Sequence, residues 1–419
     1  MRRIAMLSVH TCPMAALGGK ETGGMNVYVR ELSRELGAQG LTVDIYTRSQ
    51  DPTRERIRDL WPNVRVIHLP AGPEEPYSKN LVYDHLPEFV AGLRHFTAAE
   101  GRSSAYDLLH SHYWLSGWVA RELARERGLP TVHMFHTLGR MKDSVARSQA
   151  EKETSTRIQV EQELMRDMQR IVAATPLDKS QMVELYAANP QKIEVIPPGV
   201  DLDLFRPMPR DEAARAIGVD LPKDHHLVLF VGRLDPLKGL DTLLQAVCKL
   251  TELAPELARH LCLAVIGGDA DENGSGMGNE LECLDRLRRE AGIDDLVTFL
   301  GSRAQDTLPY YYSAADVCVV PSHYESFGLV ALEAMACGTP VIASRVGGLQ
   351  LTVEDEVTGI LVPAGDVDAL AEKLRLVLTD RELRTRLGFN AHQKAQSYTW
   401  RSVADRIIPL YEGLWQRKH

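Results

Sequence analysis

The sequence has little of what marks a secreted, membrane-spanning or nucleic-acid-binding chain. Only six cysteines occur in 419 residues: Cys12, Cys248, Cys262, Cys283, Cys318 and Cys337. They are scattered with no CxxC pair, which argues against a disulfide framework or a zinc ribbon and for buried reduced thiols. No apolar run approaches the ~18 residues of a membrane span. The run IAMLSVH after Met1-Arg2-Arg3 is too short for the core of a secretory leader. A cytoplasmic location is therefore expected. A basic excess is missing too: 48 lysines and arginines stand against 57 aspartates and glutamates, a formal balance of -9, which disfavours a nucleic-acid partner. Low-complexity tracts are absent. So are coiled-coil heptads, which leaves oligomeric state open, a homodimer included.

What is present suffices for two ordinary cores, since apolar residues make up 44%. Short apolar runs alternate with amphipathic segments. Strands are expected at Arg3–Val9, Leu41–Thr47, Val64–Pro70, Tyr106–His112, Leu129–Thr137, Gln169–Thr175 and Lys192–Gly199. Helices are expected at Met25–Gln39, Trp114–Glu126 and Glu151–Asp167. The pattern restarts with strands at His226–Leu234, Leu261–Gly268, Leu296–Ser302, Asp316–Ser322, Thr339–Gly348 and Thr358–Gly365, and a helix at Leu240–Leu253. This alternation predicts an α/β chain of two Rossmann-like, doubly wound domains. The proline-rich stretch Pro197–Pro207 sets the boundary, giving domains 1–203 and 204–399, with the last helix, within 400–419, free to pack on either. Ligands are expected beyond the carboxyl ends of the strands, in the cleft between the domains.

The chemistry concentrates in the second half. In GRLDPLKG, Gly232–Gly239, Arg233 and Lys238 sit on a loop at a strand end, where two cations can hold a diphosphate. A solvated loop is the ordinary alternative. In HYESFGLVALEAMACGTPVIAS, His323–Ser344, a helix is expected from Ser326 to Ala336, with free amides for an anion. Glu325 and Glu333, eight positions apart, span about two turns and can serve different hydroxyls of one long ligand. An N-cap charge plus a surface residue is the bland reading of that pair. The glycine loop Gly18–Gly24 is a weak signal alone. Asp269 and Asp271 read as turn chemistry, and no DxD-type motif stands at the diphosphate loop. No metal is assigned; Mg2+ is possible without being indicated.

GRLDPLKG, ESFGLVALE and GTPVIASRVGG resemble the signature of the family-4 glycosyltransferases, and the likeness covers nearly the whole chain. The resemblance implies the two-domain GT-B fold and retaining transfer from a UDP-sugar, glucose or N-acetylglucosamine. It implies that Arg233 and Lys238 bind the donor diphosphate and Glu333 the ribose. Glu325, with Ser326, Phe327, Gly328 and Leu329, would meet the donor sugar and distal phosphate. Arg303 would meet the base, and Gly23 and Gly24 the donor.

The segments GGMNVYV, AGP…SK, HSHYWLSG and HTL resemble the inositol-phosphate N-acetylglucosaminyltransferases of mycothiol synthesis. By that likeness Lys79, Tyr113, Thr137 and Arg157 hold an acceptor phosphate, Asn26 the inositol ring, and His136 faces the donor sugar. HTLGRMK is closer to the sucrose-phosphate synthases, whose acceptor is fructose 6-phosphate and which typically carry Gln where Met25 stands. The resemblance makes His136, Arg233, Lys238 and Glu325 the catalytic set. It implies a small phosphorylated acceptor, inositol phosphate first, and no cofactor. Read without it, His136 fits a core histidine, and the lysines and arginines fit solvated surface. A nucleotide-sugar epimerase, a pyridoxal phosphorylase and a non-catalytic nucleotide-sugar-binding protein stand as the competing classes.

Overall fold

Runs of β-branched and aliphatic residues between turn residues become the strands of two parallel sheets. The computed structural model describes residues 2–16, 22–101, 106–222, 224–268 and 279–416, with side chains throughout except at 150. Residues 18–21 of the glycine loop, and Asp269 and Asp271, lie outside the described residues.

The first sheet holds β1 (Arg3–Leu7), β2 (Thr42–Arg48), β3 (Ile57–Trp61), β4 (Val64–Leu69), β5 (Leu108–His112), β6 (Thr131–Met134), β7 (Arg170–Ala173) and β8 (Ile193–Val195). Its order is β3-β4-β2-β1-β5-β6-β7-β8. Every pairing is parallel except β3 with β4. Strands β5 and β6 are buried along their whole length, as a sheet covered on both faces requires. Strand β3 was not expected from the sequence. It is an edge strand whose first three residues are exposed, so no burial imposes an apolar alternation on it.

The second sheet holds β9 (His226–Val231), β10 (Leu261–Ile266), β11 (Val297–Gly301), β12 (Val317–Val320), β13 (Val341–Ser344) and β14 (Gly359–Val362), in the order β11-β10-β9-β12-β13-β14 and parallel throughout. The helix Leu240–Leu253 covers it with Leu243, Leu244, Val247 and Leu250, all fully buried; each such side chain contributes about 1.5–3 kcal/mol.

Both sheets are doubly wound. In each, the chain lays strands outward on one side of its first strand and then crosses to the other. The switch points lie between β1 and β5 in the first sheet and between β9 and β12 in the second. There adjacent loops diverge beyond the carboxyl ends and leave a crevice.

Strand β1, Gly24–Pro198 and the helix Trp400–Gln416 form one compact unit; Gly199–Thr399 forms the other, and Gly23 groups with it. The division falls at Pro198/Gly199, slightly before 203. Val200 donates to the Tyr398 carbonyl at 2.8 Å and bridges Thr399, which holds the following segment to the second unit. The last helix seats on the first unit through Tyr411, whose hydroxyl meets His110 Nδ1 at 2.7 Å, and through Trp400, whose ring lies 5.5 Å from that of Tyr28.

Candidate functional site

In the second unit the chain leaves β9 at Val231 and turns through the Gly232–Gly239 loop. Asp235 caps the single turn Pro236–Lys238, accepting from the Leu237 amide at 3.0 Å. Gly239 follows in the left-handed region, and a Cβ there would collide with the Pro321 carbonyl oxygen. The His323 amide donates to the Leu237 carbonyl at 2.8 Å. The loops after β9 and β12 are thereby locked together at the switch point. As a result Lys238 Nζ lies 2.6 Å from Glu325 Oε2, and Arg233 Nη2 lies 3.6 Å from Asp235. Glu325 is pinned from behind, because its carbonyl accepts from the Gly348 amide at 3.0 Å. Two partly exposed cations, each beside a carboxylate, thus stand on the loop that follows β9.

The helix begins at Leu329, not at Ser326. Gly328, at φ 90°, is its N-cap residue, and the Leu332 amide makes the first helical bond to the Gly328 carbonyl at 3.1 Å. The amides of Leu329–Ala331 are therefore those of the first turn, while Phe327 and Gly328 precede it. Phe327 sits with its ring 5.9 Å from that of Tyr398 and its carbonyl bonded to Thr352. Ser326 Oγ lies 3.3 Å from the Tyr324 hydroxyl. Glu325 lies outside the helix, so the two-turn relation to Glu333 does not hold. Glu333 is nearly buried, accepting from the Tyr312 hydroxyl at 2.9 Å and from Gln305 at 3.5 Å. Burial first, then the Glu333 charge, pushes the Tyr312 hydroxyl well above its ordinary value. Arg303 folds onto its own segment, donating to the Tyr311 hydroxyl at 3.1 Å and the Ser302 carbonyl at 3.0 Å. Gly23 and Gly24 part company. A Cβ on Gly23 would stand 4.0 Å from Arg233 Nε, whereas Gly24 opens the helix Gly24–Ala38 of the first unit.

In the first unit two non-glycine residues at the ends of adjacent strands take left-handed backbone, Tyr113 at φ 73° after β5 and His136 at φ 60° after β6. Such strain persists where the surroundings over-determine it, and it clusters at functional sites. His136 Nε2 lies 3.0 Å from His112 Nδ1, and its ring stands edge-on to Tyr28 at 5.2 Å. Burial pushes the His136 pKa down to about 3, so the imidazole is neutral at neutral pH.

Arg157 is the hub of the residues expected by resemblance to hold the acceptor phosphate. The helix Ser155–Asp167 is capped by Thr154, which projects Arg157 inward at 1% exposure. Its Nε lies 2.7 Å from Glu161, and its Nη1 is 3.0 Å from the Tyr113 hydroxyl and 2.8 Å from Glu153. Nη2 reaches Thr137 Oγ1 and the Thr137 carbonyl, both at 3.0 Å. A guanidinium has five N–H groups, and these contacts match that number. Lys142 Nζ lies 2.5 Å from Glu153. Despite its burial, the Glu153 carboxyl is held below its ordinary value by Arg157 first, then by Lys142 and Lys79. Burial first, then the Lys79 charge, pushes His10 down to about 3. Lys79, Tyr113, Thr137 and Arg157 thus share one electropositive neighbourhood. Asn26 is buried, and its amide N–H groups go to Thr11 Oγ1 and the Cys12 carbonyl, both at 2.8 Å, so it fastens the loop after β1.

Sequence reading missed Lys142, Glu153, Glu161 and His10. Glu153 and Glu161 were findable, because each lies four residues from Arg157, the spacing of helical ion pairs. Lys142 stands within the HTLGRMK segment already singled out.

Two doubly wound units, each with charged groups gathered at its switch point, define a nucleotide-binding type of α/β enzyme. Residues 22–204 match Glycosyltransferase Family 4 and residues 215–394 match Glycosyl transferases group 1; the chain belongs to this glycosyltransferase family, with the GT-B fold. It is 43% identical to a D-inositol 3-phosphate glycosyltransferase of Saccharomonospora viridis, over 98% of this chain and 94% of that one. A sucrose-phosphate synthase from Thermosynechococcus elongatus superposes with a TM-score of 0.90 at 36% identity, covering 100% of both chains. Anabaena HepE, solved in complex with UDP-glucose, shares the fold at a TM-score of 0.76 and 19% identity, over 99% of this chain and 100% of that one. Among the described residues no helix is long and apolar enough to cross a membrane.

Proposed function

We propose that this glycosyltransferase moves a hexosyl group, with retention at the anomeric carbon, from a UDP-sugar to inositol phosphate in the cytoplasm. The observation that carries the reading is the Arg157 hub. A buried guanidinium, the Tyr113 and Thr137 hydroxyls, Lys142 and the nearby Lys79 charge suit a phosphate dianion, which can take the place of the Glu153 carboxylate between the two cations. The 43% identical relative carries an inositol phosphate in its name. On the donor side, Arg233, Lys238 and the Leu329 helix N-terminus hold the diphosphate. Glu325 and Ser326 take sugar hydroxyls, Glu333 the ribose and Arg303 the base.

Bond breaking places charge on the departing diphosphate, which those cations and amides stabilise. The acceptor hydroxyl attacks on the same face, and the leaving phosphate oxygen takes its proton. His136 stays neutral, so it meets the sugar as a hydrogen-bonding group, with His112 fixing its ring. No step is routed through a metal or a cofactor.

One observation favours a second acceptor of like charge, fructose 6-phosphate: the full-length superposition on a sucrose-phosphate synthase at 36% identity. The test measures UDP release from UDP-N-acetylglucosamine and UDP-glucose, each with inositol phosphate and with fructose 6-phosphate. Fast release only with inositol phosphate is expected. Fast release only from UDP-glucose with fructose 6-phosphate would replace the acceptor and keep the phosphate pocket.

A further inference from the structure

We propose that Asp224, His225 and His260 form a binding site for a divalent transition cation of the zinc class, at the amino-terminal edge of the second sheet. Strands β9 and β10 pair in parallel with His226 opposite Leu261. The residues just before them, His225 and His260, are therefore neighbours across the strands, and their rings meet edge-on at 5.0 Å. Asp224 projects its carboxylate to both. Oδ1 lies 3.4 Å from His225 Nδ1, and Oδ2 lies 3.3 Å from His260 Nδ1. Metal–ligand bonds of about 2.0–2.1 Å in a tetrahedron put neighbouring ligand atoms about 3.3–3.4 Å apart, a spacing that each imidazole nitrogen makes to one oxygen of the Asp224 carboxylate. Ligand atoms of all three residues lie within 4.8 Å of one another.

Hydrogen bonding accounts for only one of the two imidazoles, since His225 Nδ1 makes a hydrogen bond with Asp224 Oδ1. His260 Nδ1 is shielded from solvent yet has no hydrogen-bond partner, although the carboxylate is near. The mount is also firm. The His225 carbonyl accepts from Arg210 at 2.7 Å, the His226 amide donates to the His260 carbonyl at 2.7 Å, and Arg210 is anchored on Asp316 at 3.0 Å. Two imidazoles and one carboxylate are a donor set for zinc and its neighbours, with a fourth position left for water. Strand β9 separates this site from the Gly232–Gly239 loop by about 20 Å at ~3.3 Å per residue. The ion would join the amino-terminal ends of β9 and β10 and take no part in transfer.

The experiment uses tag-free full-length protein, titrated with CoCl2 by visible absorption and with ZnCl2 by calorimetry. One equivalent of cobalt should give tetrahedral d–d bands that zinc abolishes. A tenfold excess of zinc over its Kd should raise the melting temperature by about 3–6 °C. His260→Ala and Asp224→Asn should each weaken zinc at least about tenfold and erase the bands. Both positions are partly or fully exposed, so both variants should melt like the parent without metal, which separates lost binding from lost folding. Absence of cobalt bands, or zinc binding unaltered in both variants, would overturn the site and leave an exposed carboxylate beside two imidazoles.

Discussion

Arg157 is the most informative single residue to remove. Its guanidinium is 1% exposed and neutralises Glu161, whose side chain is fully buried, and Glu153. Arg157→Ala leaves both carboxylates without that partner, and breaking a buried pair from one side costs about 3–5 kcal/mol. At about 2–4 °C per kcal/mol for a domain of this size, the first unit should melt roughly 6–20 °C lower. Function should suffer separately. One charge-assisted bond from Arg157 to an acceptor phosphate, about 1.5–3 kcal/mol, corresponds to a rise in acceptor KM of roughly 10–150-fold. The donor KM should hardly change, because, His136 apart, the proposed donor groups belong to the second unit. Arg157→Lys keeps a cation for the glutamates but not the fork that meets Tyr113 and Thr137; it should recover most of the melting temperature and little of the acceptor KM. The assay is initial-rate kinetics with each substrate varied at saturating levels of the other, run below the variant's melting transition. Equal rises in both KM values, or none, would refute the acceptor-phosphate role. Unchanged melting would refute the buried-pair argument.

Lys238→Ala should cut kcat by about 100–1,000-fold, the usual effect of deleting one transition-state contact, with the fold intact by circular dichroism; near-normal kcat in a folded variant would remove the diphosphate assignment. Acid should destabilise the first unit. His10 and His110 are each pushed down to about 3, chiefly by burial, against 6.5 unfolded, so stability is complete above pH 6.5 and falls steadily from there toward pH 3. Each costs about 2 kcal/mol at pH 5; denaturant melts at pH 7 and pH 5 with equal midpoints would contradict this. Gly239→Ala forces a side chain onto left-handed backbone against the Pro321 carbonyl and should cost about 1–3 kcal/mol or more, read as a lower denaturation midpoint together with weaker UDP binding by calorimetry.

The fold was legible wherever burial dictates sequence. Strands such as β5, β6, β12 and β13 are covered on both faces, so their apolar runs had no other use. Strand β3 was not legible, because an exposed edge accepts IRDLW as readily as a loop does. Strand ends were overextended where the chain leaves the sheet for function. Leu129–Thr137 reads as one run, yet β6 stops at Met134 and His136 turns into left-handed backbone. The Glu325–Glu333 spacing misled for a related reason. Where the helix starts depends on Gly328 adopting φ 90°, and a helical register carries no information across such a residue. Arg157 was identifiable by resemblance alone. Its network needed the structure, since a lone arginine in sequence is indistinguishable from a solvated one.

On the proposed function, that network suits either of two phosphorylated acceptors. A phosphate is recognised by charge, and charge acts over several ångströms through groups that need not touch the rest of the acceptor. On the proposed function, Lys79, Lys142, Tyr113, Thr137 and Arg157 would serve an inositol phosphate or fructose 6-phosphate without alteration. Ring recognition is short-ranged and depends on which donors remain free. Asn26, the residue assigned to the ring by resemblance, directs its amide N–H groups to Thr11 and Cys12 and so holds the loop after β1. On the proposed function, that loop is the place to test for discrimination between the two rings. A hydroxyl-bonding site of this kind rejects the wrong ring strongly only when a mismatch strands a buried polar group. Substitutions in the Thr11–Cys12 segment should accordingly shift the preference between the two acceptors, while substitutions at Arg157 should weaken both alike.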